Sequence, residues 1–117
     1  MIKKIKKIKK IKMEQPNLLY IEQLADKDVS FKRQLIAILK TELPKEIRIY
    51  QQSIIKKNNS LAAEIVHKIK HKIGVLGLIE SHKMACIYEE ELRNSTKKSI
   101  LKFEKTLKIM THFLKTI

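Results

Sequence analysis

Apolar residues recur along most of this chain at steps of three and four, the spacing that lines one face of an α-helix. The clearest stretch is the last, where Ile100, Phe103, Leu107, Met110, Leu114 and Ile117 form one seam. Another runs through Ala62, Ile65, Val66, Ile69, Ile73 and Leu76, and a third through Met84, Ile87, Tyr88 and Leu92. The longest takes in Phe31, Leu35, Ile38, Leu39, Leu43, Ile47, Tyr50 and Ile54. Pro44 falls inside it; proline lacks an N–H and clashes with the preceding turn, so a kink is expected near residues 40–43, without a necessary stop. Ahead of these, Leu18, Leu19, Ile21 and Leu24 suit a short helix across one end.

The breaks between these stretches are short and polar. Asp26 and Asp28 are N-cap candidates for the long helix, and Lys56-Lys57-Asn58-Asn59-Ser60 separates it from the next. Gly77, followed by Glu80-Ser81, marks a turn, and Asn94-Ser95-Thr96 supplies the last break. Short connections imply antiparallel neighbours. The expected fold is therefore all-α: an antiparallel up-down-up-down four-helix bundle with a short extra N-terminal helix.

Composition supports helix over sheet, because two Gly and two Pro are too few for a chain of tight turns. With no Trp and 5% aromatics, the core is expected to be aliphatic. Its 117 residues suit one domain, read as 13–117.

Charge changes the picture only at the N-terminus. Of the formal +14, seven charges are lysines within residues 1–12, which hold no acid, so +7 remains for the other 105 residues. Ile2, Ile5, Ile8 and Ile11 recur there every three residues, a period that drifts around a helix instead of forming a narrow stripe. The segment is expected to be a disordered basic tail or an added leader, with Met13 as the original start of a domain that stands alone. The alternative readings are a small basic helical protein that binds nucleic acid or an anionic membrane through its lysines, or a docking bundle that is not phosphorylated and carries no chemistry. The sequence has no apolar run of about 18 residues and no signal-peptide pattern, and Cys86 is its only cysteine. These features lead to the expectation of a soluble, cytoplasmic monomer, with Cys86 a buried structural thiol.

Few residues invite chemistry. No Gly-rich loop opens a helix to cradle a nucleotide phosphate, and no nucleophile stands on a turn beside a base. Glu89-Glu90-Glu91 reads as a solvated helix face, and His82 and His112 as incidental. His67 and His71 lie one turn apart on one helix, and His67 falls about 200° from Ile65 and Ile69, away from the apolar stripe. Its neighbours on that outer face are Ala63, Lys70, His71 and Gly74, two of them small enough for another protein to approach the imidazole. Lys70 places an ammonium where it can balance an anion on the ring. Gly74 costs about 0.5–1 kcal/mol relative to Ala inside a helix, which points to a close approach at that position. The pair can also be read as a clip for Zn²⁺ or Ni²⁺. The absence of a third ligand and the presence of Lys68, Lys70 and Lys72, which would repel a cation, argue for no dedicated metal site.

Val66-His67-Lys68-Ile69-Lys70, with Leu76-Gly77 nine and ten residues after the histidine, resembles the signature of histidine-containing phosphotransfer (HPt) domains. The likeness extends over about residues 17–116 and includes a Glu42-Leu43-Pro44 element in the preceding helix. The resemblance implies a phosphocarrier with no nucleotide site, not an enzyme, whose His67 takes a phosphoryl group from a receiver-domain aspartate and passes it to another. It implies Lys70 as the basic residue beside the acceptor and Gly77 as the glycine near the helix end. The implied partners are response-regulator receiver domains and a hybrid sensor kinase, with Mg²⁺ held by the receiver and no cofactor in this chain. Lys68, Lys70 and Lys72 would steer the carrier toward an acidic receiver pocket. The family commonly has a small residue four after the histidine, where this chain has His71, a ring able to crowd or hydrogen-bond the phosphoryl group.

Overall fold

The computed structural model describes residues 14–117; the expectation for residues 1–12 lies outside the described residues. Five helices follow one another without a strand among the described residues: α1 Leu19–Ala25, α2 Val29–Ile55, α3 Asn59–Val75, α4 Ile79–Arg93 and α5 Ile100–Lys115. Helix α2 packs on α3, α3 on α4, α4 on α5, and α5 returns to α2, while α1 lies against α2. The fold is all-α, with its core inside that ring of contacts.

Local chemistry accounts for the boundaries. The Asp28 carboxylate accepts the Phe31 N–H at 3.0 Å and starts α2, and the Asn58 side chain accepts the Leu61 N–H at 3.1 Å and starts α3. Asp26 instead closes α1 in the left-handed conformation, φ 46°. Helix α4 begins after Leu78, which has no side chain able to cap, and the cap comes from a distance. The Glu14 carboxylate accepts the N–H groups of Glu80 and Ser81 at 2.8 and 3.0 Å, pairing free donors and placing negative charge at the positive end of the helix dipole. Helix α2 continues through Pro44, so the proline does not end it.

The buried faces follow the apolar periodicity with informative exceptions. Helices α3 and α5 bury the expected seams, Ile100 and Ile117 only partly. In α2, Leu39, Leu43 and Tyr50 are buried, but Phe31 in the first turn is exposed, and so is Ile38, which lies about 100° around the helix from the buried Leu39. In α4 the buried set is Ala85, Tyr88 and Leu92, with Met84 half-buried. Ile87, expected in the core, is exposed: it follows Ala85 by two residues, about 200° around the helix. Cys86 shares that outer side and is exposed, so the buried-thiol expectation is corrected.

Nor is the core purely aliphatic. Tyr50, Tyr88 and Phe103, one each from α2, α4 and α5, meet at its centre with ring centroids 5.0–6.3 Å apart. Side chains of this size each contribute about 1.5–3 kcal/mol on burial. The two phenol oxygens lie 2.6 Å apart; Tyr50 donates to Glu104 at 3.2 Å and so accepts from Tyr88. Burial first, then its neighbours, pushes the Tyr50 hydroxyl well above the ordinary phenol range, so it stays neutral.

The α3–α4 turn places the histidine helix. The Leu78 N–H bonds the Ile73 carbonyl at 3.2 Å and the Gly77 N–H bonds the Gly74 carbonyl at 3.0 Å, a Schellman closure around Gly77 at φ +77°. Asn17 packs where a Gly77 side chain would be, and its N–H donates to the Leu76 carbonyl at 2.9 Å. Gly77→Ala is therefore expected to lower the free energy of unfolding by about 1–2 kcal/mol from backbone conformation alone, with the Asn17 clash added. A urea titration against wild type checks this.

Candidate functional site

Helix α3 has neighbours on two sides, and its buried residues (Ala62, Ala63, Ile65, Val66, Ile69 and Ile73) cover a broad arc. Between its first and last turns the exposed residues are Glu64, His67, Lys68 and His71, spaced i, i+3, i+4 and i+7, a single narrow strip. His67 sits on it with half of its side chain accessible. Ala63 does not. It was expected beside His67 on the open face and is wholly buried, because packing against both α2 and α4 widens the buried arc to include the turn before His67.

Gly74 is also reassigned. It is half-buried, and a Cβ at that position would lie 3.3 Å from His82 Cδ2. The close approach inferred from sequence is real, but it comes from α4 of the same chain. His82, read as incidental, is the side chain that uses the space.

The electrostatic centre of the site is Glu89 on α4, whose carboxylate is 14% exposed. Its Oε1 meets Lys70 Nζ at 3.0 Å and His67 Nδ1 at 3.2 Å, and its Oε2 meets Arg93 Nη2 at 2.9 Å. Burial alone would raise this carboxyl; hydrogen bonds from Arg93, Lys70 and His67 and the Lys70 charge outweigh it and bring the pKa down to about 2. The acidic run 89–91 is thus no solvated face. Glu89 ties α4 to α3, and Glu91 accepts the Ser99 N–H at 2.8 Å and its hydroxyl at 3.1 Å ahead of α5. Only Glu90 is exposed.

An ionised carboxylate can only accept, so the proton on the neutral His67 ring sits at Nδ1 and the lone pair is left on Nε2. That nitrogen faces His71 Nε2 at 3.4 Å, with the rings edge to face at 86°. His71 is therefore the donor in this contact. Lys70, expected to place its ammonium beside the imidazole, is 15% exposed and bound to Glu89. Lys72 is buried to a similar degree and held by Glu42 and Glu46 of α2, each at 3.0 Å. Burial would lower the Lys72 ammonium, but the two carboxylates raise it. Of the three lysines expected to steer a partner, Lys68 alone is exposed.

Gly77 takes the position expected of it at the helix end. Among the described residues no group of three or more His, Cys, Asp or Glu converges as a metal site, and no helix is long and apolar enough to cross a membrane. A surface groove between α2 and α5, lined by Tyr50, Glu104, Lys108 and His112, shares no residue with the His67 cluster. Glu89 and Arg93 were missed from sequence; their i, i+4 spacing was the one available signal, and it says nothing of His67. Comparison with family models, curated proteins and solved structures finds no match to this chain.

The depressed Glu89 carboxyl makes folding pH-dependent in a definite window. Its folded value lies below the ordinary 4.5, so between pH 4.5 and about 2 the unfolded chain binds a proton that the folded chain refuses. Its contribution is complete above that window and is lost as pH falls through it. Wild type is expected to exceed Glu89→Gln in stability at pH 6, with the gap narrowing toward pH 2, as read from urea midpoints across the range.

Proposed function

We propose that this chain is a histidine phosphotransfer carrier of the kind its motif resembles, with His67 as the residue that accepts and returns the phosphoryl group. The observation that carries the reading is the state of the His67 ring: Nδ1 is held by the ionised Glu89, and Nε2, carrying the lone pair, lies on the exposed strip of α3. In this reading α2 to α5 form an antiparallel up-down-up-down four-helix bundle with α1 at its side, and α3 is the helix that a receiver domain docks on.

The chemistry is an in-line exchange. The Nε2 lone pair forms the N–P bond as the O–P bond to the receiver aspartate breaks, and the aspartate leaves as a carboxylate. The ring keeps its Nδ1 proton and becomes positive. Glu89 faces that N–H and stabilises the charge, much as a buried carboxylate does for an imidazolium in a catalytic triad. Lys70 and Arg93 offset Glu89 in turn, so these three side chains together carry one net positive charge beside the ring. His71 donates to the free Nε2 and must turn aside for transfer, after which its N–H can reach a phosphoryl oxygen.

Nucleotide and Mg²⁺ belong to the partners, a hybrid sensor kinase and response-regulator receiver domains, and the carrier works as a cytoplasmic monomer. Incubation with phosphorylated receiver domains and Mg²⁺ is expected to place acid-labile, base-stable phosphate on wild type and none on His67→Gln. Equal labelling of the two proteins, or none on wild type, rejects this function.

A further inference from the structure

His71 remains unexplained by phosphoryl transfer, since its ring covers the nitrogen that has to react. The metal-clip reading had two objections from sequence: repulsion by lysines and the lack of a third ligand. The first is reduced. Lys72 is neutralised by Glu42 and Glu46, and Lys70 is held against Glu89, a carboxylate it shares with Arg93, so neither ammonium stands free beside the pair. The third, Lys68, shares the strip with Glu64.

We propose that His67 and His71 form a two-imidazole clip for a divalent transition ion of the zinc, copper and nickel class, and that the bound ion blocks the phosphoryl acceptor. The two Nε2 atoms are 3.4 Å apart. An ion roughly 2.0–2.1 Å from each, the usual metal–imidazole distance, would see them at about 110°, the tetrahedral angle. The rings are already turned toward each other and both are exposed, so an ion has a path in and keeps open positions for water. Glu89 on His67 Nδ1 supplies the outer carboxylate that fixes the tautomer of a metal-bound histidine and raises its basicity. His71 needs only to move its proton from Nε2 to Nδ1 through solvent. Imidazole donors select zinc, copper and nickel over magnesium, so the Mg²⁺ that serves a receiver does not compete.

Blocking rests on the phosphotransfer reading, because the ion and the phosphoryl group use one lone pair; the clip itself does not. Titration of the full chain with ZnCl2, NiCl2 or CuCl2, followed by calorimetry and by the Cu²⁺ electron paramagnetic resonance spectrum, reads binding without any receiver. One equivalent is expected on wild type, with affinity about tenfold lower in Glu89→Gln and lower still in His71→Ala and His67→Gln. Both histidines are exposed, so these two variants are expected to fold as wild type does. Wild-type affinity in His71→Ala or His67→Gln overturns the clip. At constant Mg²⁺, one equivalent of ZnCl2 is expected to stop labelling of wild type and spare His71→Ala. Unchanged wild-type labelling with zinc bound overturns the block. A wild type that takes no phosphate even without zinc rejects the phosphotransfer function, and the titration then decides the clip alone.

Discussion

The histidine helix is packed on two sides, and this constraint governs the site. A helix with one neighbour leaves more than half its circumference to solvent. Helix α3 has α2 on one flank and α4 on the other, and what remains open is a strip about 100° wide. Ala62 and Ala63, wholly buried, take up little space between the helices, which suits close approach of the backbones. Lys70 and Lys72 lie at the borders of the buried arc. There a long ammonium side chain must either find a carboxylate or remain partly desolvated without one, and both find carboxylates on the adjacent helices.

The arrangement also settles where a proton sits. Glu89 is mostly covered, which by itself disfavours its charge, yet three donors converge on its two oxygens and the balance goes to the ionised form. An acceptor at Nδ1 gives the neutral His67 ring one tautomer and directs its lone pair outward. Under the proposed function and the proposed clip, one exposed nitrogen faces three competitors: the His71 proton, an electrophilic phosphorus and a transition ion. Their competition is a matter of local concentration and geometry and requires no movement of the fold.

Residues 14–17 have a structural part in this geometry. Glu14 caps α4, Asn17 sits against Gly77, and together they hold the α3–α4 turn from outside. The relative setting of these two helices is what brings Glu89 within reach of His67. Stability of the turn and electrostatics of the site are thus linked through residues 59 to 67 positions apart in the chain.

The sequence by itself determined the helices, their breaks, the cap at Asp28, the glycine closure at residue 77 and the exposure of His67. Each is set by local dihedral preference or by a period of 3.6, which a linear pattern carries in full. Tertiary structure alone decided the fate of Ala63, the source of the close approach at Gly74, the pairing of Lys70 and Lys72, and the exposure of Ile87 and Cys86. Those depend on how many neighbours a helix has and on which side, and periodicity reports the centre of a buried face far better than its width. Glu89 is the sharpest case: in the chain it is one of three consecutive acids, and only the packing of α4 on α3 selects it to hold the histidine.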